Sequence, residues 1–300
     1  LPKESWREDF KDAKWETLKQ GKKFFDELKK EYDFDTALDV HGLFKSGLTT
    51  YLSGAKRRIG PADGREGSTL FYNHQVEMPS EEIHQIDRNL HLAKTLGAEV
   101  EEVEFAIATP DAVQEKVEQL LIDLEIAEAE RLVAINPFTT WGSKDWLKER
   151  YAGLADRLIA DLDYTVLFTG GPGDKTGVAE IIEMMEQKAY NLAGETNLKE
   201  LAELYTIVDL FVGGDTGPMH LAVAQGTPIV VLMGPTNPKT HGPYGEQHRV
   251  IQPDLECKNC WERECPRENH LCMERITVRG VYEAIRGQVS AVSKDDNSKD

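Results

Sequence analysis

The stretch Gly214–Pro238, GDTGPMHLAVAQGTPIVVLMGPTNP, decides the fold. Just upstream, Val208–Val212 is an apolar run of strand length. Gly213 and Gly214 follow it, and glycine tolerates positive φ and close approach of a ligand. Pro218 suits the first turn of a helix, with Asp215 or Thr216 placed to cap it. Met219–Ala224 then reads as a helix, and Pro228–Met233 as a second strand. A strand, a helix and a strand in this order make a parallel βαβ unit.

The same alternation extends upstream. Leu132–Asn136 and Tyr164–Phe168 read as strands. Lys144–Ile159, residues 175–189 and Asn197–Tyr205 read as helices. The half beginning near Arg131 is therefore a Rossmann-type α/β domain. In such sheets ligands bind at the carboxyl ends of the strands. Four turns lie on that edge: Asn136-Pro137-Phe138-Thr139-Thr140, Gly170–Gly173, Gly213–Gly217 and Gly234-Pro235-Thr236. Together they predict a cleft.

The first half is less regular. Residues 1–32 read as a polar helical stretch with Phe24, Phe25 and Leu28 on one face. Thr36–Val40 reads as a strand that runs through His41-Gly42 into a helix, and Arg58–Gly60 as another short strand. Ile83–Leu96 reads as a helix, Val103–Ala108 as an extended link, and 111–129 as an acidic helix leading into the next domain. The expected organisation is an N-terminal domain over 1–128, a second domain over 129–289, and a disordered polar tail over 290–300.

Composition narrows the partners. Acidic residues outnumber basic ones by 53 to 35, a formal charge of −18, which argues against nucleic acid. An anionic ligand must then rely on helix N-termini and single lysines. No apolar run is long enough to span a membrane, and no secretory signal is visible. All four cysteines fall between Cys257 and Cys272, which speaks against a secreted disulfide scaffold and for a cytoplasmic protein.

The edge turns carry the chemistry. The helix after Asp215-Thr216-Gly217 presents free N–H groups that suit a diphosphate. Asp215 can accept hydrogen bonds from sugar hydroxyls, and His220 lies one turn further in. The bland alternative is a helix cap with a buried His. Thr139 and Thr140 offer small hydroxyls after a strand, and Lys144 adds a point charge for phosphate. Asp174 sits where a carboxylate can hold ribose hydroxyls or cap a helix. The spacing Cys257, Cys260, Cys265, Cys272, with His270 inside it, suits zinc or an iron–sulfur cluster. Reduced or disulfide-bonded cysteines packed by Trp261 and Pro266 are the alternative. No other cofactor is indicated.

Gly214–Pro238 resembles the signature of glycosyltransferase family 9, the lipopolysaccharide heptosyltransferases. NPFTTWGSKDW (Asn136–Trp146) resembles the family's second donor segment, and DVHGLFKSG (Asp39–Gly47) a motif of its N-terminal domain. The similarity runs from about residue 30 to residue 285. It implies a GT-B fold of two Rossmann-like domains facing a cleft. It implies an ADP-heptose donor held by Thr139, Thr140, Lys144, Asp174, Thr196, Asp215, Thr216, Gly217 and His220, with Thr196 by the adenine. Lys45 and Ser46, in the turn with Asp39, His41 and Gly42, fall on the acceptor side, and Lys56, Arg57 and Arg58 offer charge to an anionic lipid acceptor or form a solvated loop. The implied reaction is inverting transfer to the lipopolysaccharide inner core, without an essential metal, at the cytoplasmic face of the inner membrane with peripheral contact to it. The competing readings are another GT-B nucleotide-sugar enzyme, such as an epimerase or other hexosyltransferase, and a donor-binding fragment without catalysis. The family's general base is an Asp in a first βα loop, and nothing before Asp39 resembles that segment. The first strand and helix are therefore expected to be missing, and the catalytic base stays unassigned.

Overall fold

The computed structural model describes residues 14–296 apart from 106, 128–129 and 268. It divides into two compact units, Leu1–Glu102 and Val103–Asp300.

The first unit contains α1 (Lys14–Glu31), β1 (Thr36–Leu38), α2 (Phe44–Leu52), β2 (Arg57–Pro61), β3 (His74–Val76) and α3 (Gln85–Lys94). Its three strands are parallel in the order β1-β2-β3. The core is small: Ile59, Val76 and Leu92, with Leu38 and Met78 packed beside them.

The second unit contains α4 (Asp111–Asp123), β4 (Arg131–Asn136), α5 (Lys148–Leu162), β5 (Tyr164–Phe168), α6 (Lys175–Glu183), β6 (Tyr190–Asn191) and α7 (Leu198–Ile207). It continues through β7 (Leu210–Gly214), α8 (Gly217–Ala224), β8 (Ile229–Leu232), α9 (Pro238–His241), β9 (Arg249–Ile251), α10 (Leu271–Glu274) and α11 (Val278–Asp296). All six strands are parallel, in the order β6-β5-β4-β7-β8-β9. The order therefore reverses between β4 and β7, and a crevice opens at such a reversal outside the strand ends. Alternation along each central strand feeds two cores. Val133, Ile135, Val166, Val212 and Val230 face one layer with α5 and α11, and Leu132, Ala134, Leu167, Phe211 and Val231 face the other with α7 and α8. The central strands are buried on both faces, as all-parallel sheets require.

Three expectations are corrected. The boundary falls at Glu102–Val103, not at 128, because α4 belongs to the second core: Val117, Leu120 and Leu121 pack with Leu201, Leu204 and Tyr205. The Thr109 hydroxyl also donates to the carboxylate of Glu203 on α7. The polar segment from Ser290 continues α11 to Asp296 instead of forming a disordered tail. Val281, Tyr282 and Ile285 anchor that helix in the core, and extending a nucleated helix is easy. Finally, the helix expected from Lys144 begins at Lys148, after a 3-10 turn at Gly142–Lys144. Residues 1–13 of the expected first helix and residues 297–300 of the expected tail lie outside the described residues. Among the described residues no helix is long and apolar enough to cross a membrane.

Candidate functional site

The turns after β4 and β7 meet at the point where the strand order reverses. Gly213 and Gly214 make that approach possible, and neither needs a positive φ. A Cβ on Gly213 would lie 2.8 Å from the Asn136 carbonyl oxygen, and one on Gly214 would lie 2.9 Å from Thr139 Cγ2. Close approach of the two turns, and not an unusual backbone conformation, is what excludes a side chain here. Asn136 fixes the end of β4 from below by donating from Nδ2 to the Thr169 carbonyl at 3.0 Å.

Lys144 and Asp215 form the centre of this edge. Lys144 Nζ lies 2.7 Å from Asp215 Oδ2, with the two side chains 12% and 8% exposed. The ammonium also donates to the Asp215 carbonyl at 3.3 Å and lies 4.3 Å from the centre of the Trp141 ring. His220 Nε2 stands 3.8 Å from the other carboxylate oxygen, Oδ1. Asp215 is therefore held by Lys144 and does not cap α8. Thr216 takes the N-cap position with extended backbone (φ −153°, ψ 168°) and no capping bond from its side chain. Gly217, the next residue, is exposed. A helix start left uncapped by side chains offers orphan amides to an anion.

The paired threonines differ. Thr139 folds the turn: its N–H and Oγ1 both donate to Asp145 Oδ1, at 3.0 and 2.9 Å, and Oγ1 lies 2.8 Å from the Trp141 carbonyl. Its polar atoms are thus engaged within the turn. Thr140 is exposed at the tip. Burial pushes the Asp145 carboxyl above the ordinary carboxylate range, against the two Thr139 hydrogen bonds, and the charge of Asp174 raises it further. Asp145 and Trp141 escaped the sequence reading. The signal was there: an Asp six residues after the threonine of a strand-end turn, and an aromatic between that threonine and the lysine.

Asp174 caps its own turn, with Oδ2 accepting from the Gly171 N–H at 2.8 Å. Thr196 is not in contact with the Lys144–Asp215 pair. It lines a depression of about 280 Å³ with Lys116, Leu120 and Glu200, beside α4 and α7. The four cysteines are free thiols. Burial, and then the neighbouring thiolates of Cys265, Cys260 and Cys257, push the Cys272 thiol up. Among the described residues no group of three or more His, Cys, Asp or Glu side chains is placed to hold a metal ion.

In the first unit the Asp39–Gly47 turn is held by its own backbone and by the segment 65–68, with Arg65 and Ser68 donating to the Gly42 carbonyl and Glu66 accepting from the Phe44 N–H. Buried Asp39 accepts from the His41 and Gly42 N–H groups at 2.8 and 3.1 Å, and from the Tyr72 hydroxyl at 2.6 Å. Gly42 has φ +71°, and a Cβ there would lie 2.8 Å from Pro61 Cγ. Ser46 accepts from the Leu43 N–H and donates back to its carbonyl, capping α2, while Lys45 is exposed. The basic trio is engaged with its own unit. Arg57 donates to the Thr95 carbonyl, Arg58 to those of Phe71 and Ala55, and Lys56 makes an exposed 3.9 Å pair with Asp35.

Residues 22–271 match the family model described as glycosyltransferase family 9 (heptosyltransferase). The chain is 30% identical to the lipopolysaccharide core heptosyltransferase OpsX of Haemophilus influenzae, over 74% of this chain and 63% of that protein. It is 26% identical to lipopolysaccharide heptosyltransferase 1 of Pseudomonas aeruginosa, over 95% and 81% respectively. The chain spans about half to two thirds of the length of the first curated relatives it matches, 63% and 51% for two of them. A crystal structure of a family 9 glycosyl transferase from Veillonella parvula superposes with a TM-score of 0.73 at 23% identity, covering 90% of this chain and 78% of that one. The Escherichia coli heptosyltransferase WaaC with ADP gives 0.69 at 23% identity, over 96% and 82%. Both are likenesses of fold, and both agree with the expected GT-B architecture.

Proposed function

The chain belongs to glycosyltransferase family 9, and from that premise we propose that it transfers a heptose from ADP-heptose to the lipopolysaccharide inner core, with inversion. One observation carries the reading. At the reversal of the parallel sheet, a lysine, a carboxylate and an uncapped helix start converge within a single edge. A nucleotide diphosphate needs a cation and N–H donors there, and a sugar needs a carboxylate.

The chemistry follows from the positions. The acceptor hydroxyl oxygen displaces the diphosphate at the anomeric carbon, forming the new C–O bond as the old one breaks and releasing its proton to solvent. Negative charge develops on the departing ADP. The Lys144 ammonium and the amides at the start of α8 stabilise that charge. Asp215 holds the sugar hydroxyls and, before the donor arrives, keeps Lys144 in place. Thr140 and Gly217 border the same edge, and His220 flanks Asp215. Thr139 acts through the turn, by fixing Trp141 and Asp145. The acceptor is a lipid-linked oligosaccharide, which places the work at the cytoplasmic face of the inner membrane.

Calorimetry with ADP-heptose, ADP and UDP tests the donor, and a transfer assay with heptose-free core lipopolysaccharide tests the reaction. ADP ligands should bind, and UDP should bind about tenfold more weakly or worse. UDP binding preferred over ADP points to another GT-B nucleotide-sugar enzyme. Binding of ADP-heptose without transfer makes the chain a donor-binding module.

A further inference from the structure

The cysteine-containing segment is sewn onto the donor edge at two places. Buried Ser143 donates from Oγ to the Glu262 carbonyl at 2.7 Å and from its N–H to the Arg263 carbonyl at 3.3 Å. Trp261 donates its N–H to the Pro235 carbonyl at 2.9 Å, in the turn after β8, and its ring meets His241 edge-on at 4.7 Å. The backbone of Trp261 is in the left-handed region (φ 61°), a conformation that the two attachments hold. The loop is thus part of the rim that Lys144 and Asp215 share.

These attachments deliver Arg263. Its guanidinium lies 5.3 Å from the centre of the Trp141 ring, the same ring that Lys144 Nζ approaches at 4.3 Å. Two cations therefore flank one indole. Their electrostatic situations differ. Lys144 is half-buried and already paired with Asp215. Arg263 is exposed and enters no ion pair among the described residues. The edge also carries Asp215, Asp145 and Asp174, and its other lysines, Lys148 over Phe138 and Lys175 after Asp174, are paired with Glu180 and Glu195. A diphosphate would meet a net negative field there unless another cation contributed. A guanidinium offers a planar fork that grips two phosphate oxygens at once.

We propose that Arg263, carried to the rim by the Ser143 and Pro235 attachments, is a second diphosphate-binding cation beside Lys144. The proposal rests on the nucleotide-sugar reading of the same edge. It also gives the loop a task that needs no metal: it presents a guanidinium to the donor.

The test is calorimetry on the full chain with adenosine, AMP and ADP, comparing the parent with Arg263→Ala and Arg263→Lys. The expected result is an ADP affinity about tenfold lower in Arg263→Ala, a smaller loss for AMP, and unchanged adenosine binding. Arg263→Lys should recover part of the loss, because the charge returns without the fork. Two results overturn the proposal: equal ADP affinity in Arg263→Ala and parent, or equal losses for adenosine and ADP, which would make Arg263 only a prop for Trp141. If the parent itself binds ADP no better than adenosine, the nucleotide-sugar reading fails, and this assignment with it.

Discussion

The two units each contain a strand that runs through a glycine-bearing turn into a helix, and the two turns are built for opposite ends. In the first unit the Asp39 carboxylate is paired with its own turn's backbone and with Tyr72, and the rest of the turn bonds to Ile59, Arg65, Glu66 and Ser68 of the same unit. In the second unit Asp215 reaches across to another strand's turn and leaves α8 without a side-chain cap. The same local grammar yields a closed structural corner in one place and an open ligand edge in the other. The difference lies in the partner of the aspartate. Asp39 bonds to the backbone of its own turn and to the Tyr72 hydroxyl, whereas Asp215 bonds to the ammonium of a lysine on another strand's turn.

The largest expected effect breaks the open turn. Lys144→Ala leaves Asp215 buried and uncompensated, and should destabilise the second unit by about 3 kcal/mol. Lys144→Ala/Asp215→Asn should recover most of that stability while still binding ADP more than tenfold more weakly than the parent. Thermal melts and calorimetry on the two variants check both statements. A single variant as stable as the parent would show that the pair is not a buried one.

Next comes Gly214→Ala, which places a methyl 2.9 Å from Thr139 Cγ2 and should cost about 1–3 kcal/mol while spreading the two turns. Its ADP affinity should fall with its stability. A stable variant with intact affinity would mean that the turns can separate freely.

Acid separates the units in a third way. Burial raises the Asp145 carboxyl, so the folded second unit takes up that proton more readily than the unfolded chain does. Its stability should rise as pH falls through the raised value. Hydrogen bonding from Arg88, followed by its charge, lowers the Asp63 carboxyl in the first unit. That contribution is present above the ordinary carboxylate value and is lost as pH falls through the lowered one. Asp145→Asn should flatten the gain and Asp63→Asn the loss, read by unit-resolved hydrogen exchange between pH 6 and pH 3. Smallest is Ser46→Ala, which removes the hydrogen bonds that the Ser46 hydroxyl exchanges with the Leu43 backbone and should cost about 1 kcal/mol with ADP binding unchanged.

Much of the second unit is legible in the sequence because its strands are continuous apolar runs buried on both faces. Leu132–Asn136 and Tyr164–Phe168 coincide with β4 and β5 or differ by one residue. What escapes is short. β3, β6 and β9 are two or three residues long, too brief for any period to register, and their pairing comes from neighbours. The site is half legible. The Lys and Asp of the donor edge stand out by type, and the structure pairs them. Their pairing with each other is a tertiary fact, as is the engagement of Thr139 by Asp145. Arg263 lies 119 residues beyond Lys144 in the chain, so no local pattern connects them. The unit boundary was hidden for a related reason: α4 is acidic outside and carries its few apolar residues on the face that meets α7.

Hydrogen exchange of the full chain with and without ADP tests the contrast between the two turns most directly. Exchange should slow at 139–144 and 215–220 and stay unchanged at 39–47. Protection confined to 39–47, or none at 215–220 under saturating ADP, would contradict it.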